Sequence, residues 1–109
     1  MFKDRRWIEK DRLGNEIYLT EERWEHISSP TNHPEMLNYE SELREAIRSG
    51  HRKQDMLNPQ KFLYSKRFDN LTAKNTHITA VVFLRFTEDE GGELLSNNFI
   101  VTAYQKKVW

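Results

Sequence analysis

Cysteine is absent from the 109-residue chain. Its absence excludes a disulfide scaffold, a thiol nucleophile, a Cys-ligated zinc site and an iron–sulfur cluster. It is compatible with a reducing cytosol, and a cytoplasmic setting is expected. Glycine and proline are scarce, at four and three residues. The only adjacent glycines, Gly91-Gly92, sit in an acidic turn, so no glycine-rich phosphate loop is present. Long hydrophobic runs are also missing. The longest, Ala80-Val81-Val82-Phe83-Leu84, falls far short of the roughly 20 residues that span a bilayer, so no membrane association is expected. The first residues, MFKDRRWIEKDR, carry charges with no apolar stretch behind them, and no signal peptide is expected. Net charge is zero, with 17 Lys and Arg against 17 Asp and Glu, which argues against bulk electrostatic binding of nucleic acid. There is no internal repeat and no low-complexity tract.

What remains suits one small domain. Three Trp, four Tyr and six Phe can fill a core in a chain that buries about two-thirds of its unfolded surface. Charge is unevenly spread. Residues 16–42 hold seven Glu against Arg23, whereas residues 43–67 hold seven Lys and Arg against Glu45 and Asp55. The basic middle reads either as a phosphate-facing patch or as a solvated helix end and sheet edge.

Residues 1–15 are read as a charged arm lying on the domain or on a partner, with Phe2, Trp7 and Ile8 as its apolar residues, followed by a single domain over 16–109. Gly14-Asn15 marks a turn, and Glu16 to Leu19 suits a short strand. Thr20 is a good helix N-cap, with Glu21 and Glu22 in the first turn. Leu19 and Trp24 have the spacing of a hydrophobic staple. The first helix is expected over about 21–28, stopped by Pro30. Tyr39, Leu43, Ala46 and Ile47 form the stripe of a second helix over about 38–49, with Gly50 at its C-cap. The period then changes to two. Weak strand character over 52–57 precedes a strand from Phe62 to Phe68, a central strand from Ile78 to Phe86 and a last strand from Phe99 to Tyr104. Thr87 to Asn97 reads as an acidic loop. The expected fold is α+β, with two N-terminal helices on one face of a three- to four-stranded antiparallel sheet. The other face is then partly free to carry a site.

The pattern Ile17-x-Leu19-Thr20-x-Glu22-Arg23-Trp24-x-His26-Ile27, followed by His33-Pro34-Glu35-Met36, Glu45-Ala46-Ile47, Phe62-Leu63-Tyr64 and Val101-Thr102-Ala103-Tyr104, resembles the Barnase–EndoU–ColicinE5/D–RelE-like nuclease superfamily, in particular its phage-type PBECR branch. The likeness covers about residues 16–107. It implies a compact α+β domain and a metal-independent ribonuclease, often a toxin, that forms a 2′,3′-cyclic phosphate and needs no cofactor. RNA is then the expected partner, and a protein partner such as an antitoxin is a second one.

Cleaving RNA without a metal takes a base for the 2′-hydroxyl, an acid for the leaving oxygen and donors for the phosphorane. Histidine suits the first two roles and arginine the third. His26 matches the position where the superfamily often keeps a catalytic His; its other reading is a helical His bonded to a loop carbonyl. His33, beside Pro34, is the candidate second acid/base group, or else braces its own loop. His51 and His77 fall at strand starts and read as structural or solvated. Lys66 and Arg67 alternate in side. If Phe62, Tyr64 and Phe68 face the core, Arg67 points outward and is the better phosphate ligand. Arg85 on the central strand calls for a partner or ligand, and Lys66, Arg85 and Lys106 are the substrate-binding candidates. Thr102 and Tyr104 share a face of the last strand, near where the superfamily often places a hydroxyl; ordinary strand propensity is the alternative. Glu22, His26 and His33 have no recognised metal-ligand spacing, so no metal site is expected. The competing reading is a catalytically inactive relative that binds a protein or nucleic acid, with Phe2, Trp7 and Trp109 as partner anchors.

Overall fold

The computed structural model describes residues 4–108; Phe2 and Trp109 lie outside them. The chain opens with strand β1 (Arg5–Lys10) and strand β2 (Glu16–Thr20). Helix α1 (Glu21–Ile27), a 3-10 turn (Pro34–Met36) and helix α2 (Glu40–Ser49) follow. Then come β3 (His51–Gln54), β4 (Lys61–Arg67), β5 (His77–Phe83), β6 (Phe86–Glu88), β7 (Leu94–Ser96) and β8 (Asn98–Lys106). Six strands form one sheet in the order β1-β2-β8-β5-β4-β3, and β6 and β7 form a separate hairpin.

This arrangement corrects the expected architecture. The helices are not N-terminal, because two strands precede them, and the sheet has six strands rather than three or four. Nor is it purely antiparallel, since β2 runs parallel to β8, with Ile17 opposite Asn98 and Tyr18 opposite Phe99. The physical reason lies in β1. Its inward positions are Trp7 and Glu9, both buried, so an apolar alternation never appears in the sequence. Glu9 is tolerated inside because it accepts from Arg44 Nε at 2.5 Å and Arg48 Nη1 at 3.0 Å on α2, and a buried charge needs such partners. Trp7 Nε1 donates to Glu40 Oε2 at 2.8 Å, and Arg6 pairs with Glu40 and Glu21. Charge pairing thereby fastens an edge strand to both helices.

The remaining elements follow local rules. Thr20 Oγ1 accepts from Arg23 N at 3.0 Å, capping α1. Trp24 and Ile27 of α1, and Leu43, Ala46 and Ile47 of α2, are buried against Ile17, Leu19, Tyr64, Ile78, Ala80, Val82, Ile100 and Ala103 of the sheet. Both helices therefore lie over one face. Gly50 makes the turn from α2 into β3 tight: a Cβ there would sit 2.3 Å from the Ala46 carbonyl oxygen and 2.9 Å from that of Ser65. The segment expected as an acidic loop is the β6–β7 hairpin, whose tip is closed by Asp89 Oδ1 accepting from Gly91 N and Glu93 N. No helix among the described residues is long and apolar enough to cross a membrane.

Candidate active site

The face away from the helices is read from the strand registers. Residues opposite one another on adjacent strands share a side. One row runs Arg67, His77, Lys106 across β4, β5 and β8. The next runs His51, Ser65, Thr79, Tyr104 across β3, β4, β5 and β8. A third holds Lys53, Leu63, Val81 and Thr102. Val101 is extra at the irregularity between Val81 and Val82, so the alternation of β8 changes phase there. The shift sets Thr102, Tyr104 and Lys106 on the outer face while Ile100, Ala103 and Gln105 stay buried.

The first row borders a groove of about 560 Å³ whose wall also includes Arg12, Ser49, Gly50, His51, Ser65 and Lys66, with no carboxylate. Its cations differ in how far they are already satisfied. Lys66 points to the helix side and is neutralised by Glu45 Oε2 at 2.7 Å and bonded to Ser49 Oγ at 2.6 Å. Arg12 donates to the Ser49 carbonyl. Arg67 is 64% exposed and its nearest carboxylate, Asp69, stands 4.0 Å off. The Lys106 ammonium makes no ion pair with any described residue. Burial, then the charges of Arg67 and Lys106, hold His77 below the ordinary histidine pKa. Its Nδ1 lies 2.7 Å from Thr76 Oγ1, and that oxygen accepts from Val108 N at 2.9 Å. A neutral imidazole between two cations is the form that takes up a proton.

The second row is polar from end to end. Ser65 Oγ and Thr79 Oγ1 are 2.7 Å apart. The Tyr104 ring packs on the His33 ring, centroids 5.7 Å apart, and His33 Nδ1 lies 3.4 Å from Glu35 Oε2. The 3-10 turn carrying Glu35 abuts β8 beyond the point where β2 leaves the sheet, and so delivers His33 to the rim. Tyr104 has no hydrogen-bond partner for its hydroxyl among the described residues.

The structure thus brings Arg67, Lys106, Thr102, Tyr104 and His33 together on or beside one face. It does not bring His26 there: the residue is exposed in the last turn of α1, and its ring makes no hydrogen bond, ion pair or ring contact with a described residue. Arg85 stands at the other end of the sheet, its guanidinium 4.3 Å from the Phe83 ring centroid and its Nε 3.2 Å from Gln60 Oε1. His77 and His51 are the residues that sequence reasoning set aside. Their place beside Arg67, Lys106 and Ser65 depends on the pairing register across the 68–76 connection, which no local motif encodes. Among the described residues, no three His, Asp or Glu side chains converge as metal ligands. No family model, curated protein or solved structure matches the chain.

Proposed function

We propose that the protein is an endoribonuclease whose phosphate site is the Arg67–His77–Lys106 row. The observation that carries this reading is a histidine held neutral between two cations, one loosely paired and one with no ion pair among the described residues, on an open sheet face. The likeness to the barnase-type superfamily supports the same chemistry. With Nδ1–H donating to Thr76 Oγ1, His77 Nε2 takes the proton of a 2′-hydroxyl. The 2′-oxygen attacks the adjacent phosphorus, a bond to O2′ forms and the bond to O5′ breaks. Arg67 and Lys106 hold the non-bridging oxygens as charge builds. Tyr104 supplies the proton to the leaving 5′-oxygen, with His33 packed on its ring as its support, and Thr102 adds a hydroxyl further along the strand. The product is a 2′,3′-cyclic phosphate. The chemistry on phosphate is carried by side chains alone, and a cytoplasmic setting suits it.

The test is cleavage of RNA in EDTA with the products analysed for cyclic phosphate. The parent is expected to cleave. His77→Ala is expected to lose at least ~100-fold, the usual scale of a general base, whereas His26→Ala keeps activity. Equal loss in both variants, with both folded, would reject the assignment to this groove. RNA binding without any cyclic product would leave the inactive binding module standing instead.

A further inference from the structure

The outer face carries a second feature that this chemistry does not use. At the sheet end far from the groove, three half-exposed rings form a ladder across β2, β8 and β5. The centroids of Tyr18 and Phe99 are 6.1 Å apart, and those of Phe99 and Phe83 are 5.9 Å apart. A guanidinium caps each end: Arg5 lies 4.0 Å from the Tyr18 centroid, and Arg85 lies 4.3 Å from that of Phe83 and 5.7 Å from that of Phe99. A cleft of about 180 Å³ opens beside Tyr18 and Phe99, with Thr20, Glu22 and Arg23 on its wall. Phe83 and His77 lie on the same side of β5, six residues apart, which is roughly 20 Å of strand.

We propose that this ladder is a second RNA subsite, one that stacks unpaired bases of a single strand whose scissile phosphate sits in the Arg67–His77–Lys106 groove. The ligand class rests on the ribonuclease reading, and the ladder adds strandedness and length preference to it. Charge complementarity favours this occupant. Four Lys and Arg of the neighbouring strands β3, β4, β5 and β8 share the outer face by register, Lys53, Lys61, Arg67 and Lys106, and these strands carry no Asp or Glu, so a polyanion crossing from groove to ladder meets no strand carboxylate on the way. The Arg5 and Arg85 guanidiniums lie over the Tyr18 and Phe83 rings, and a base stacks on a guanidinium plane as it does on an aromatic ring, whatever its sequence. A base must be free of its pair to reach them, which excludes a duplex.

The experiment measures equilibrium binding of fluorescent 2′-O-methyl RNA, which lacks the attacking hydroxyl and stays intact. A dinucleotide, a single-stranded octanucleotide and an octanucleotide duplex are compared. The parent is expected to bind the single-stranded octanucleotide at least tenfold tighter than either of the others. In the Phe83→Leu, Phe99→Leu double variant, which keeps apolar volume but removes the flat faces, the octanucleotide-to-dinucleotide ratio is expected to fall to about one. Arg85→Glu, a surface change that leaves the core intact, should lower the ratio as well and serves if the double variant fails to fold. No length preference in the parent, or a ratio that persists in the folded variants, overturns the subsite. Cleavage is measured on the same preparations: a collapsed ratio with no cleavage by the parent defeats the nuclease reading alone, and cleavage with an unchanged ratio defeats the subsite alone.

Discussion

Asp11 accepts four hydrogen bonds, from Leu13 N, Asn15 N, Asn15 Nδ2 and the Tyr64 hydroxyl at 2.5 Å. Burial pushes its carboxyl up, but the donors, Tyr64 first, outweigh it and hold the group below the usual aspartate value. Burial and the facing charge push the Tyr64 phenol up, so it stays a donor. A depressed carboxyl stabilises the fold above the unfolded pKa of about 3.9 and stops doing so as pH falls through the lower folded value. Tyr64→Phe should therefore cost about 1–3 kcal/mol near neutral pH, and the gap to the parent should narrow near pH 3 in urea titrations; an equal gap at both would contradict it. His77 gives the opposite kind of signal, in rate. On the ribonuclease reading, its lowered pKa should put the acid limb of the cleavage profile below the ordinary histidine range. Arg67→Gln removes one of the causes, and the limb should move to higher pH as well as the rate falling. Arg67 itself was legible from the alternation of β4, because Tyr64 is 1% exposed and fixes which side is the core. His77 was not, because its neighbours come from other strands.

At the scale of elements, legibility followed how local the stabilising contacts are. Helix α1 is announced by Thr20 and two glutamates, and α2 by its apolar stripe; both form close to where the pattern puts them. α2 starts two residues later than expected, at Glu40, because Tyr39 takes the N-cap position without a side-chain cap bond. The β6–β7 hairpin was illegible for the reverse reason: all six of its strand residues are exposed, so burial imposes no pattern. The tightest element joint is Gly50. Gly50→Ala is expected to destabilise by about 1–3 kcal/mol, the range for forced overpacking, because the clashing atoms are backbone and cannot swing aside. A melting midpoint equal to the parent's would show that the α2–β3 turn relaxes freely.

Across the whole molecule, a net charge of zero hides a division of labour. Nine of the twelve Glu residues lie on α1, α2 and the β6–β7 hairpin, and the other three on β1, β2 and the 3-10 turn, while β3, β4, β5 and β8 hold none. On the ribonuclease reading, RNA affinity should accordingly weaken with salt despite the neutral total, and Lys106→Gln should flatten the slope of log K against log salt by about 0.7, the value for one single-strand phosphate contact. An unchanged slope would place the phosphate elsewhere. This segregation was only half visible in the sequence, because it depends on which strands become neighbours. The least legible neighbour is β8, latest in the described order yet seated between β2 and β5. That seat has a consequence for biogenesis. As the chain emerges from a ribosome, β1 and β2 wait unjoined to the rest of the sheet until residues 98–106 arrive. Lys106 and Tyr104 arrive with them, so on the RNA-cleaving reading the nascent chain is harmless to the ribosomal RNA around it until residues 98–106 have emerged.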